Sequence, residues 1–140
     1  MTMCSILVVE DHMLMAETLV HILRTKGNFR IADVAESAED AMEWLSECET
    51  DHQVDLALVD VVLPRTSGIE LVSMIQDKYP GLPCLMISGR SAEQYVSRSM
   101  AAGARGYVLK DDMHDVMKGI RRVLKGGTYL SKRLEEKEEE

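Results

Sequence analysis

Short apolar runs alternate with amphipathic stretches along this chain. Residues 5–9 are Ser-Ile-Leu-Val-Val, ended by the acids Glu10-Asp11. Residues 54–59 are apolar except for Asp55 and end on Asp60. Runs of this length, rich in Val and Leu, suit strands buried on both faces of a parallel sheet. Three more strands are predicted at 29–35, 82–87 and 105–109, the last ending on Lys110. Between them the apolar period lengthens to that of helices. Ala16, Leu19, Val20, Ile22 and Leu23 mark one over 12–26, with Gly27 in the C′ position. Ser37 caps a second, with Asp40 three residues on. Ser67-Gly68 opens a third, which stops before Pro80-Gly81. A weakly amphipathic helix follows over 92–102, ended by Gly103. Asp111 or Asp112 caps the last, which runs to about Lys125 and is closed by Gly126-Gly127.

Five strands alternating with five helices predict an α/β fold with a parallel, doubly wound sheet. Right-handed crossovers restrict the topology, and the flavodoxin-like order 2-1-3-4-5 sets strands 1, 3, 4 and 5 side by side. At 140 residues the chain suits one domain, assigned to residues 1–131, with a charged tail over 132–140.

Composition narrows the function. The formal net charge is −8, and the body stays acidic once the tail is set aside, which argues against nucleic-acid binding by this chain alone. Cys4, Cys48 and Cys84 are odd in number and far apart, a pattern that fits a reducing cytoplasm better than a disulfide or metal framework. No apolar run approaches the length of a membrane span, and no signal-peptide core opens the chain. The ten methionines read as core filler. Lys118, Arg121, Arg122 and Lys125 share one helical face and read as a solvated stripe. His12 is given no ligand role.

The predicted topology brings four strand ends together, carrying Glu10, Asp11, Asp60, Ser88 and Lys110. Ligands of open α/β sheets bind at this edge. Three carboxylates in one pocket repel by roughly 4 kcal/mol per pair at 4 Å and an effective dielectric near 20, so the site either shares a proton or takes a hard divalent cation. With a cation and a lysine at hand, one carboxylate can attack phosphorus. Lys110 and the Ser88 hydroxyl can hold the oxygens of the transferred group.

Val-Val-Glu10-Asp11, Val-Asp60-Val-Val-Leu-Pro64-Arg-Thr-Ser-Gly68, Met-Ile-Ser88-Gly and Gly106-Tyr107-Val-Leu-Lys110 together resemble the receiver domain of bacterial two-component response regulators. The wording looks most like receivers of NarL/LuxR-type transcription factors, over about residues 4–128. The resemblance implies a phosphoacceptor switch rather than an enzyme. Asp60 would be the acceptor. Glu10 and Asp11 would hold Mg²⁺ with Asp60 and the main-chain carbonyl of Val62. Ser88 would bond the phosphoryl group, Lys110 would pair with it, and Tyr107 would be an aromatic switch. It also implies a histidine kinase or phosphotransfer protein as partner, an output face at the fourth helix, fifth strand and fifth helix, and scope for a phosphorylation-dependent dimer.

Two departures stand out. Many receivers carry Pro after the lysine, often behind a cis peptide, whereas this chain has Asp111. A cis bond there would cost about 2.5–4 kcal/mol, so a trans bond is expected. NarL/LuxR-type proteins continue into a helix-turn-helix domain, which the residues after Ser131 are too few to form. Among rivals, a haloacid-dehalogenase-type phosphatase needs a second Asp two residues after the first, where Val62 stands. An FMN phosphate would be repelled by the acidic strand ends. A pseudo-receiver without chemistry is disfavoured by the intact acidic set with Ser88 and Lys110.

Overall fold

The computed structural model describes residues 3–48, 54–89, 93–131 and 134. The elements follow the predicted alternation: β1 Ser5–Val9, α1 Met13–Thr25, β2 Arg30–Ala35, α2 Ala38–Glu47, β3 Leu56–Asp60, α3 Gly68–Lys78, β4 Cys84–Ser88, α4 Glu93–Ala102, β5 Gly106–Leu109 and α5 Met113–Leu124. The sheet is parallel, in the order β2-β1-β3-β4-β5-β6. The sixth strand, β6 (Tyr129–Leu130), is a correction to the five predicted. It has two residues and no apolar run long enough to announce itself.

Every residue of β1, β3, β4 and β5 is buried, because helices cover both faces of the sheet. Leu7, Val9, Ala57, Val59, Met86, Tyr107 and Leu109 pack on one face with α2, α3 and Val96 of α4. Ile6, Val8, Leu58, Leu85, Ile87 and Val108 pack on the other with Leu19 and Leu23 of α1 and Val116 and Ile120 of α5. The two-residue period of a strand does this sorting.

The cap expected at Ser37 forms, and Ser67, expected only to open the third helix, caps it. Ser37 Oγ accepts the Asp40 N–H at 3.0 Å, and Ser67 Oγ accepts the Glu70 N–H at 3.2 Å. Of the two candidates for the last helix, Asp112 is the cap, accepting the Asp115 N–H at 3.1 Å. Gly103 and Gly126, which close α4 and α5, have φ of 111° and 92°. Lys118, Arg121, Arg122 and Lys125 are exposed, as a solvated stripe should be.

Some boundaries differ from the reading of the sequence. The second strand starts at Arg30, the fourth covers Cys84–Ser88 and so includes Ser88, and the fifth starts at Gly106. After α1 the left-handed residue is Asn28, with φ 57°, rather than Gly27. Asn tolerates this region. Gly27 is needed for space, since a Cβ there would lie 2.6 Å from the Phe29 ring. Ala92, Arg90 and the tail over 132–140, apart from Leu134, lie outside the described residues. No cis peptide occurs among the described residues, in line with a trans 110–111 bond. None of their helices is long and apolar enough to cross a membrane.

Candidate functional site

Strand register assembles the site. Val9 is level with Val59, Asp60 with Ile87, and Ser88 with Leu109. Glu10, Asp60, Ser88 and Lys110 therefore emerge along one edge of the sheet. The backbone stitches these ends together. The Val61 N–H donates to the Ile87 carbonyl at 3.2 Å, and the Lys110 N–H donates to the Ser88 carbonyl at 2.9 Å.

Lys110 is the hub. Its Nζ lies 2.8 Å from Glu10 Oε1 and 2.9 Å from Asp60 Oδ2. The Val62 N–H donates to the other Asp60 oxygen, Oδ1, at 3.2 Å. The Asp60 carboxylate is thus fixed from both ends in a setting only 3% exposed. Asp11 sits at the exposed rim, with Oδ1 3.3 Å from His12 Nδ1. Ligand atoms of Glu10, Asp11, His12 and Asp60 all fall within 4.8 Å of one another.

Lys110 is bonded to two of the three clustered acids, Glu10 and Asp60, and the imbalance shows. Glu10 is 1% exposed, and its Oε2 has no hydrogen-bond partner among the described residues. Burial, then the adjacent Asp60 carboxylate, push the Glu10 carboxyl up to about 8 against the pull of Lys110. Burial and Asp60 thus favour the protonated form of Glu10. Lys110 moves the other way from most buried amines. Burial is the largest influence and lowers its pKa, but the bonds to Glu10 and Asp60 outweigh it and raise the net value. A buried, partnerless carboxylate oxygen beside two more acids is the donor set a hard cation takes, so the residues present fit Mg²⁺.

The remaining predicted site residues fall as follows. Ser88 is 1% exposed at the end of β4. Val62 meets Asp60 through its N–H, and its side chain is exposed. Tyr107, expected as an aromatic switch, is fully buried in the cluster that holds Leu109 and Val96. A groove of about 490 Å³ leads from Glu10 and Asp11 along α1, past Met13, Glu17, Val20 and His21.

Sequence reasoning missed three features. The first is His12, which joins the potential ligand set; its place directly after the acidic pair was the available signal. The second is Gly68, where a Cβ would sit 1.9 Å from the Asp60 carbonyl oxygen. The start of α3 thus lies hard against the end of β3. The third is a clasp over the β3–α3 loop. Thr66 Oγ1 donates to Glu39 of α2, Arg65 Nη2 lies 3.6 Å from the same carboxylate, and Arg65 takes φ 64°. The Thr66 bond, first among the causes, lowers the Glu39 pKa. A contact spanning 27 residues leaves no local sequence signal.

Comparison with known proteins gives the family. The transcriptional regulatory protein DegU of Brevibacillus brevis is 29% identical over 126 residues, covering 89% of this chain and 52% of its own length. The chain spans just over half the length of the curated relatives it matches. A LuxR-family response regulator from Aurantimonas sp. SI85-9A1 superposes with a TM-score of 0.88 at 22% identity, over 96% of this chain and 94% of that one. CheY in a CheX–CheY–BeF₃–Mg complex from Borrelia burgdorferi superposes at 0.78 with 26% identity, over 86% of this chain and 88% of that one. Residues 6–121 match the model of the response regulator receiver domain. With that match over most of its length, and the lysine–carboxylate cluster at the strand ends, the chain belongs to the receiver domain family of two-component response regulators.

Proposed function

We propose that this receiver is a phosphoacceptor switch in which Asp60 takes a phosphoryl group from a phosphohistidine of a partner kinase or phosphotransfer protein. The observation that carries the reading is the Lys110 ammonium bonded to both Glu10 and Asp60 while the Val62 N–H fixes the second Asp60 oxygen. An Asp60 carboxylate oxygen, oriented this way, attacks phosphorus in line. The P–N bond breaks, the P–O bond forms, and the imidazole of the donor leaves. Glu10, Asp11 and Asp60, with the Val62 carbonyl, would hold Mg²⁺, which supplies charge neutralisation at the phosphoryl oxygens. The presence of beryllofluoride and magnesium with the Borrelia CheY supports carrying this chemistry over.

Lys110 changes partners in the reaction. Before transfer its ammonium is bonded to Glu10 and Asp60. Once Asp60 is esterified, the new phosphoryl oxygens become its strongest acceptors, and Ser88, on the neighbouring strand end, donates to the same group. Both movements pull on β4 and β5, and so on α4 and the α5 side of β5. That face would pass the signal to an output. In a full-length regulator of the DegU kind the output would be transcription.

Incubation with acetyl phosphate and Mg²⁺, followed by intact mass measurement, should add one labile phosphoryl group. Asp60→Asn should remove it, and a chelator should prevent it. Undiminished labelling of Asp60→Asn would overturn the assignment.

A further inference from the structure

We infer that β6 is a positioning strap for Lys110. The Ser131 hydroxyl, brought in by β6, holds the end of β5 where Lys110 can reach Asp60. This rests on the phosphoacceptor reading above and assigns to it a further residue.

Strand β5 ends at Leu109, one residue before the lysine. Its last amide needs an acceptor on the side away from β4. The Leu109 N–H donates to Ser131 Oγ at 3.1 Å. Leu109 and Ser131 are 3% and 2% exposed, so water does not compete for this bond. On the other side the Lys110 N–H is held by the Ser88 carbonyl at 2.9 Å. The backbone at 109–110 is thus gripped from both neighbours, by β4 and by the residue that follows β6.

The rest of the chain is shaped to admit the strap. Tyr129 is level with Gly106 and Leu130 with Tyr107. The Tyr129 N–H donates to the Arg105 carbonyl and the Ser131 N–H to the Tyr107 carbonyl, each at 3.0 Å. A Cβ on Gly106 would lie 2.3 Å from the Tyr129 carbonyl oxygen, and one on Gly119 would lie 3.0 Å from the Tyr129 ring. A side chain at Gly106 would collide with the β6 backbone, and one at Gly119 would crowd the Tyr129 ring and Val108. The Tyr129 hydroxyl donates to the buried carboxylate of Asp115 on α5. On the opposite face Leu134, 3% exposed, joins the apolar cluster of Tyr107 and Leu109, and its N–H donates to the Ser131 carbonyl at 2.9 Å.

A two-residue strand has little stability of its own, so these anchors decide whether Ser131 stays in place. The placement of Lys110 and the docking of β6 are then coupled, and the coupling runs equally in both directions. A phosphoryl group that draws Lys110 toward Asp60 is felt at Ser131. The chain leaving β6 is thereby connected directly to the site.

The test compares wild type, Ser131→Ala and Ser131→Thr, titrated with beryllofluoride in the presence of Mg²⁺ and followed by amide NMR and hydrogen exchange. In Ser131→Ala the Leu109 amide should exchange faster, and beryllofluoride should bind roughly three- to tenfold more weakly, the equivalent of one buried neutral hydrogen bond. Ser131→Thr, which keeps the hydroxyl, should recover most of the affinity. In wild type, beryllofluoride should alter the protection of the Ser131 amide. Faster Leu109 exchange with wild-type affinity would reduce the strap to a structural role and overturn the inference, as would an unaltered Leu109 amide. If wild type does not bind beryllofluoride with Mg²⁺ at all, the phosphoacceptor reading falls and this inference with it.

Discussion

Glu10 carries the strain of the apo pocket. Its carboxyl, ordinarily at 4.5, is pushed up to about 8, first by burial and then by Asp60. Between those values the folded protein keeps a proton that the unfolded chain has released. Stability therefore falls as pH rises through that window, and the loss is complete above it. The raised Lys110 pKa acts at higher pH, where its contribution is lost as the amine deprotonates. Glu10→Gln should flatten the decline between pH 5 and 8.5 in metal-free urea unfolding, and should be more stable than wild type at pH 8.5. An unchanged pH slope in the Gln variant would place the titration elsewhere. Mg²⁺ should relieve the same strain in wild type. At a hundredfold excess over its dissociation constant it should stabilise the protein by about 2.7 kcal/mol, and Glu10→Gln should gain less. A wild-type unfolding midpoint independent of Mg²⁺ would contradict the acidic-pocket reading.

The junction of β3 and α3 is the element on which the placement of Asp60 depends most directly. Ser67 caps α3, and Gly68 lets its first turn press against the Asp60 carbonyl. Gly68→Ala puts a methyl 1.9 Å from that oxygen. It must displace either the helix start or the end of β3, at a cost of about 3 kcal/mol or more, and phosphoryl uptake should fall with the midpoint of unfolding. Wild-type stability and labelling in Gly68→Ala would show that the junction yields freely. Elements of this kind were legible in the sequence to different degrees. The four strand ends could be read because buried parallel strands are unbroken apolar runs, and the helices because Ser37, Ser67 and Asp112 are good caps. Strand β6 could not, because two residues carry no period and its docking depends on Gly106 and Gly119, distant in the chain. Asn28 takes the left-handed position after α1, while Gly27 leaves room for the Phe29 ring. The Glu39–Thr66–Arg65 clasp follows from tertiary placement alone.

Across the whole molecule, the question is how an event at Asp60 reaches the α4–β5–α5 face. A phosphoryl group adds about −1.5 to −2 charges and three strong acceptors. Moving a two-state equilibrium from 1:99 to 99:1 needs about 5.5 kcal/mol of differential binding, and one hydrogen bond to a charged group gives roughly 1.5–3. Ser88 and Lys110 are therefore both required for a full shift. Helix α4 is the element able to respond. Among its described residues only Val96 and Ser99 are buried, while Tyr95 and Met100 are partly so, and a lightly anchored helix opens at low cost. Tyr107 is buried in the cluster that also holds Val96 of α4. Ser88→Ala should still accept a phosphoryl group, because Asp60, Lys110 and the acidic pair are intact. It should populate the active arrangement only in part, so that amide shifts of α4 and β5 with beryllofluoride fall between the free and the wild-type bound positions. The full wild-type shift pattern in Ser88→Ala would mean that Lys110 and its backbone link to Ser88 carry the coupling without the hydroxyl.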